Sequence, residues 1–145
     1  MKLENIVPWG RSLNEYKSMF SLTSSELDKK ILGCGDGPAS FNSELTGSRG
    51  GVVSVDPVYQ FDSSQIRSRI DEVYPHIMSE MKKNMRDYIW KDIANIEDLG
   101  KTRMNAMEAF LDDYEDGKKA GRYIEASLPT LPFENKAFNL ALCSH

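Results

Sequence analysis

The sequence is poor in the features that mark secreted, membrane-bound or nucleic-acid-binding proteins. Its 145 residues include 2 cysteines, and its 22 acidic residues outnumber 18 Lys plus Arg, for a formal net charge of −4. Two cysteines cannot form a disulfide framework. Without a basic run the chain lacks the positive field that binding to nucleic acid or to an anionic membrane requires. No apolar run reaches the roughly 18 residues of a membrane span, and the first residues lack the apolar core of a signal peptide. We therefore expect a cytoplasmic protein with no nucleic-acid or membrane partner.

The composition is that of one ordinary globular domain spanning residues 1–145. Hydrophobic residues make up 40% and charged residues 28% of the chain, which is enough to build a buried core. Cys34 and Cys143 each lie in an apolar, strand-like stretch. This setting predicts two buried free thiols in a reducing compartment.

The first third of the chain reads as a helical leader followed by a strand-turn-helix-strand unit. In the leader, residues 1–28, a helix is predicted over 13–20 from apolar residues at helical spacing. In the unit, residues 29–61, the apolar Ile31 and Leu32 enter a glycine-rich turn over 33–38. A helical face follows, and then the β-branched run Val52–Val55, ended by Asp56. This order predicts two parallel strands joined by a helix.

In residues 62–121 the apolar residues recur at helical spacing, which predicts a helical insertion. Apolar residues, including Met85 and Tyr88, step by three or four from 63 to 90, and we expect Pro75 to kink or split this helix. A second helix is predicted after Gly100, ending near Gly117. Apolar stripes of this kind usually belong to the hydrophobic core or pack against a partner helix. The methionines here could instead form an adaptable apolar lid over a ligand. Short strands are predicted over 122–125 and 138–143, within the last part, 122–145.

The glycine-rich turn carries the functional information. Where a strand leads into a helix, a ligand can approach the backbone closely if side chains are absent. Asp36 would place a carboxylate beside that ligand, which suits a cation better than a pyrophosphate. Asp56 follows Gly37 by 19 residues, the place from which a carboxylate accepts hydrogen bonds from ribose hydroxyls. The sixth position of a dinucleotide fingerprint is here Pro38 rather than glycine. The alternative is a purely structural turn with Asp56 capping the strand end.

These residues resemble the class I S-adenosylmethionine-dependent methyltransferases. Residues 31–37, ILGCGDG, are similar to the family's first motif, and residues 53–56, VSVD, to its second. Residues 125–133 and 138–141 are similar to its adenine loop and fourth strand, although Ser127 stands where many relatives have Asp, and Phe138-Asn139 where they have Phe-Asp. The leader around Ile6–Arg11 resembles that of bacterial members without an assigned substrate. Arg11 would then either pair with the cofactor carboxylate or be an ordinary exposed arginine.

The resemblance implies S-adenosylmethionine as cofactor, S-adenosylhomocysteine as product, no metal, and transfer of the methyl group by direct displacement to a small-molecule acceptor. The implied contacts are the turn backbone for the methionine part, the Asp56 carboxylate for the ribose, and the backbone near Ser127 and Leu128 for the adenine. The predicted cofactor-binding residues are Gly33, Cys34, Gly35, Asp36, Gly37, Asp56, Pro57, Ser127 and Leu128. The catalytic residues are unknown. His145 is a conceivable base or an idle terminal residue, and His76 has no second histidine nearby to share a metal.

The predicted fold class is α/β, a Rossmann-like methyltransferase sheet of order 3-2-1-4 with the helical insertion between strands 2 and 3. The family's sheet has seven strands, so we expect this chain to be the incomplete N-terminal part of a longer enzyme and inactive alone. A natural half-domain that dimerises through its sheet edge or its helices is the alternative. Two other function classes stay open, a Rossmann domain that binds NAD and a noncatalytic methyltransferase-like interaction module.

Overall fold

The computed structural model describes residues 2–48, 51–84, 90–128, 130–134 and 137–144. Its strands are β1 (Ile31–Cys34), β2 (Val52–Val55), β3 (Tyr123–Ile124) and β4 (Leu140–Cys143). The helices are α1 (Leu13–Met19), α2 (Ser24–Leu27), α3 (Phe41–Ser48), α4 (Ser63–Asn84) and α5 (Trp90–Lys119). Short 3-10 helices cover Leu3–Asn5 and Pro57–Gln60. The chain is thus an α/β protein.

The described strands form one parallel sheet in the order β3-β2-β1-β4. This confirms the predicted strand order and the position of the helical insertion between strands 2 and 3. β1 lies in the middle, with Ile31 beside Val52 on one side and Leu140 on the other. Because all four strands run the same way, their carboxyl ends meet at one edge of the sheet, and polar loops that follow them come together there.

Helices and loops cover the two faces of the sheet differently. One face packs on α1, α2 and α3 through a cluster of buried residues that includes Tyr16, Ile31 and Phe41. Beyond β2 on the same face, a second cluster joins α4 and α5 to β3, and its aromatic centre is Tyr59, Phe110, Tyr114 and Tyr123. The opposite face carries Leu32, Cys34 and Val55, against which partly buried residues of the segment 124–138 pack.

Capping groups explain where the leader helices begin. Ser12 accepts a hydrogen bond from the Glu15 amide while the Glu15 side chain accepts one from the Ser12 amide, and Thr23 and Glu26 do the same at α2. Such a capping box satisfies two backbone donors that the helix itself leaves free. Ser24–Leu27 therefore forms a short helix of its own, which the sequence analysis did not predict.

The insertion forms two helices, and it departs from the prediction at Gly100. Pro75 does not split α4, which runs from Ser63 to Asn84. Gly100 lies inside α5 and not before it, whereas α5 ends at Lys119, close to Gly117 as predicted. A Cβ atom on Gly100 would lie 2.6 Å from the Tyr74 hydroxyl, and one on Gly117 would lie 2.4 Å from the Tyr123 ring. These glycines therefore serve close packing of α5 on α4 and on β3. Met85 and Tyr88 of the predicted stripe lie outside the described residues.

The two cysteines also differ from expectation. Cys34 is buried, but Cys143 is exposed, and both are free. They are neighbours in the sheet, because Cys34 of β1 pairs in register with Cys143 of β4. Burial together with the adjacent Cys143 thiol raises the pKa of Cys34 to about 11. Within the described part of the chain, no helix combines the length and the apolar character needed to cross a membrane.

Candidate functional site

The glycine-rich turn closes the carboxyl end of β1 in a conformation that depends on glycine. Gly35 and Gly37 have φ angles of 72° and 55°, a region that residues with a Cβ atom adopt at a cost. The Gly35 amide donates to the Val55 carbonyl at 2.9 Å, and the Tyr59 hydroxyl donates to the Gly37 carbonyl at 2.8 Å. These two hydrogen bonds therefore hold the turn against the end of β2 and against the 3-10 helix that follows it.

Asp36 faces the protein interior and not the opening of the turn. It is 4% exposed, and its carboxylate accepts hydrogen bonds from the Tyr16 hydroxyl at 2.7 Å and from the Ser54 hydroxyl at 2.5 Å. The carboxylate occupies the space beneath Gly33, where a Cβ atom would lie 2.0 Å from it. This corrects the expectation that the Asp36 carboxylate lies beside a bound ligand.

The environment of Asp36 is unusual for a carboxylate. Burial raises its pKa to about 6, against the lowering effect of the hydrogen bonds from Ser54 and Tyr16. Burial likewise raises the pKa of Tyr16 well above its ordinary value, with the Asp36 charge as a further cause. Tyr16 therefore stays a neutral hydrogen-bond donor while Asp36 titrates.

Asp56 lies at the carboxyl end of β2, where the sequence predicted a ribose-binding carboxylate. One of its oxygens accepts a hydrogen bond from the Gly37 amide at 2.9 Å, and the other accepts one from the Val58 amide at 2.8 Å. These bonds fix the orientation of the carboxyl group against the turn. Each carboxylate oxygen has two lone pairs, so that such a group can also accept hydrogen bonds from a ligand.

Clefts lie on both sides of Asp56 and Pro57. A cleft of about 460 Å³ lies between Pro57 and the loop after β3, including Ser127, Leu128 and Leu131. A narrower cleft of about 180 Å³ continues inward past Leu128 to Cys34, Gly35 and Val55. On the other side, a cleft of about 200 Å³ lies between the leader and Asp56. The first two clefts share Pro57 and residues 126–128, and the third lies at the adjacent Asp56. We refer to these three neighbouring clefts at the carboxyl ends of the strands as the groove.

The structure brings most of the predicted site residues to this groove. Cys34, Gly35, Pro57, Ser127 and Leu128 line its inner part. Gly37 and Asp56 line the part beside the leader. Leu128 is 57% exposed and lines both clefts between Pro57 and the loop after β3. Gly33 and Asp36 instead lie within the turn, where they pack against each other.

Other residues that the sequence singled out lie away from the groove or outside the description. Arg11 is half-buried just before α1, and its carbonyl accepts a hydrogen bond from the Ser40 amide. It is not among the residues that line the groove, and its pairing with a cofactor carboxylate stays a prediction. His76 is exposed on α4. His145 lies outside the described residues, so its proposed role as a base stays a prediction. Among the described side chains, no group of three or more His, Cys, Asp or Glu is placed to hold a metal ion.

Sequence reasoning missed the leader as a wall of the groove. Ile6, Val7, Pro8 and Trp9 line the cleft opposite Asp56. The sequence contained one signal for this packing, since Pro8-Trp9-Gly10 places a glycine beside a large aromatic residue. A Cβ atom on Gly10 would lie 2.0 Å from the Pro38 carbonyl oxygen, so the leader and the glycine-rich turn are in direct backbone contact.

Comparison of the chain with family models, with curated proteins and with solved structures finds no match. The functional interpretation therefore depends on the geometry of the groove and on the motifs that line it.

Proposed function

We propose that this chain is the cofactor-binding part of an S-adenosylmethionine-dependent methyltransferase with a Rossmann-like sheet. The observation that carries the proposal is the position of Asp56. Its carboxylate is held at the end of β2 by the amides of Gly37 and Val58, and it borders the groove at the carboxyl ends of the parallel strands. Ligands of parallel α/β sheets bind at this edge, with an acidic residue on the ribose.

The residues that line the groove support a nucleoside as its ligand. The inner cleft is lined by Cys34, Val55, Pro57 and Leu128, an apolar setting for an adenine ring, with the polar backbone of Ser127 at its side. Gly35 and Gly37 leave the space that a Cβ atom would fill, so that a ligand could pass close to the backbone. S-adenosylmethionine, when bound, supplies an activated methyl group to a nucleophile.

A nicotinamide dinucleotide fits the same groove less well. A pyrophosphate binds at the start of a helix through free backbone amides. Here the Gly35 amide donates to the Val55 carbonyl and the Gly37 amide to the Asp56 carboxylate. The occupied donors and the negative charge of Asp56 therefore disfavour a pyrophosphate at this turn.

The role of the chain's own residues would be to bind, to orient and to exclude water. Direct displacement requires the acceptor nucleophile to lie in line with the departing sulfur, and positioning of this kind supplies a large part of the rate. A small-molecule acceptor, a cytoplasmic location and dimerisation through the helices or the β4 edge stay predictions of the same proposal.

Calorimetric titration with S-adenosylhomocysteine, S-adenosylmethionine and NAD tests the proposal. We expect wild-type protein to bind S-adenosylhomocysteine more tightly than NAD. Asp56→Asn removes the charge that receives the ribose hydroxyls, and hydrogen bonds to a charged group are worth about 1.5–3 kcal/mol. We therefore expect the dissociation constant to rise roughly 10- to 150-fold.

Asp71→Asn is the matched control, because Asp71 is an exposed aspartate on α4 and is not among the residues that line the groove. It should bind as wild type does. No heat with either S-adenosyl ligand at millimolar concentration would refute the proposal, and tighter binding of NAD would replace it by the dinucleotide alternative. If Asp56→Ala left the biological activity of the protein intact, the noncatalytic interaction module would be favoured.

A further inference from the structure

The leader forms the outer wall of the cleft beside Asp56. Residues 6–9 line one side of this cleft of about 200 Å³, and Gly37, Pro38, Asp56 and Val58 line the other. A ribose held by the Asp56 carboxylate would therefore lie against the leader. The wall can shape binding only if the leader is held in place, because the first residues of a chain are poorly ordered unless they are tied down.

Arg69 of α4 ties the leader down. Its Nε donates to the Ile6 carbonyl and its Nη2 to the Glu4 carbonyl, both at 2.7 Å. Its Nη1 forms an ion pair with Glu72 at 3.0 Å, and the side chain is only 13% exposed. The planar guanidinium donates to two carbonyls two residues apart with a fixed spacing, which a lysine ammonium cannot reproduce.

The helical insertion also holds the leader in place at Trp9. The Trp9 ring stacks on Tyr74 of α4 with 6.4 Å between ring centroids. The guanidinium of Arg103 from α5 lies 5.7 Å from the centre of the same ring. Arg103 is 8% exposed and forms an ion pair with Glu15 of α1. The leader thus lies between the insertion and the glycine-rich turn.

We propose that Arg69 is a positioning residue that fixes the leader as the outer wall of the nucleoside site, so that a bound nucleoside is enclosed between Ile6–Trp9 and Asp56. Arg69 does not itself line the cleft, and it acts through the backbone of the leader. This inference rests on the proposed function, and it gives the helical insertion a specific task, which is to hold the leader over the ligand.

The test compares Arg69→Gln with Arg67→Gln. Arg67 lies on the same helix and forms a bidentate pair with Glu108 of α5, with 44% of its side chain exposed, so its loss removes an interhelical ion pair without touching the leader. For Arg69→Gln we expect S-adenosylhomocysteine to bind about tenfold more weakly. The loss should appear mainly as faster dissociation in stopped-flow measurements, because an enclosing wall delays escape. Arg67→Gln should stay within about twofold of wild type.

Hydrogen exchange supplies a readout that does not depend on affinity. The amides of Asn5 and Ile6 donate to the Lys2 and Leu3 carbonyls. Arg69→Gln should speed their exchange in the free protein, and S-adenosylhomocysteine should protect them in wild type. Since Arg69 and Asp56 would enclose one nucleoside, the effects of Arg69→Gln and Asp56→Asn on binding should combine less than additively.

The outcomes separate this inference from the proposed function. If wild type binds S-adenosylhomocysteine and Arg69→Gln binds it as tightly as Arg67→Gln does, the inference is wrong and the proposed function stands. If wild type binds no S-adenosyl ligand, both the inference and the proposed function are wrong.

If Arg69→Gln does not fold, as judged by the lack of a cooperative melting transition, Arg69→Lys replaces it in the test. A lysine can meet one of the two carbonyls, so about a threefold loss is expected, and unchanged affinity with unchanged leader exchange overturns the inference.

Discussion

Replacing Asp36 by asparagine should change how the stability of the protein depends on pH. Asp36 has no cation beside it among its described partners, which are the Tyr16 and Ser54 hydroxyls. Burial raises its pKa from 3.8 to about 6 in the folded chain. The folded state therefore binds a proton more tightly than the unfolded state does, and this favourable contribution to folding is fully present below pH 3.8 and lost as the pH rises through about 6.

The size of the effect follows from the two pKa values. A separation from 3.8 to about 6, at about 1.4 kcal/mol for each pH unit, corresponds to about 3 kcal/mol. About 2 kcal/mol of this change falls between roughly pH 4.5 and 7, which is a range accessible to urea denaturation. Because Asp36 is completely buried, screening by solvent reduces this figure little.

The assay is the free energy of unfolding of wild type and Asp36→Asn at several pH values across that range. All other titrating groups are shared, so the difference between the two proteins isolates Asp36. Wild type should lose about 2 kcal/mol relative to the variant as the pH rises. Asp71→Asn controls for the change in net charge. A difference that stays constant with pH, or one that shifts in favour of wild type, would refute the account of Asp36 as a carboxylate destabilised by burial.

Two stability predictions test the packing around the site. Gly33→Ala would place a Cβ atom 2.0 Å from the Asp36 carboxylate, and overpacking of this kind costs about 1–3 kcal/mol, measurable by urea denaturation. Wild-type stability in that variant would mean that the carboxylate can move aside freely. Arg122→Lys loses the bidentate contact to Asp113, which is largely shielded from solvent, and should cost about 1–2 kcal/mol. The same change at the more exposed Arg67 should cost under about 1 kcal/mol, so equal losses at both positions would contradict the reasoning.

The sheet and its connections were predictable because they depend on local patterns. The apolar runs at 31–34 and 52–55 and the glycines after the first run are short-range signals, and parallel strands joined by a helix follow from them. The order β3-β2-β1-β4 followed from the resemblance of those motifs to a known sheet, and the structure confirms it. Asp56 was placed correctly at the end of β2 because its position is counted directly along the chain.

The errors concern residues whose environment is set by distant parts of the chain. Asp36 turns inward because Tyr16 and Ser54, 20 and 18 residues away, supply its donors. Gly100 stays inside a helix because Tyr74 of the neighbouring helix needs the space. Glycine costs only about 1 kcal/mol in a helix, so tertiary packing overrides the local signal. The contact of Arg69 with the leader could not be predicted from the sequence for the same reason, because its partner Ile6 lies 63 residues earlier.

A continuous series of hydrogen bonds links α5 to the glycine-rich turn, and the donor groups of Arg122 and Asn42 fix its direction. Asp113 accepts from Arg122, which also donates to the Asn42 side-chain oxygen at 2.8 Å. The Asn42 amide nitrogen donates to the Ser54 hydroxyl at 3.0 Å, and Ser54 donates to Asp36. An ionised carboxylate only accepts, so it requires Ser54 to donate, which leaves the Ser54 oxygen to accept from Asn42. The Asp36 carboxylate and Asp113 are therefore connected through Arg122, Asn42 and Ser54, none of which is among the residues that line the three clefts.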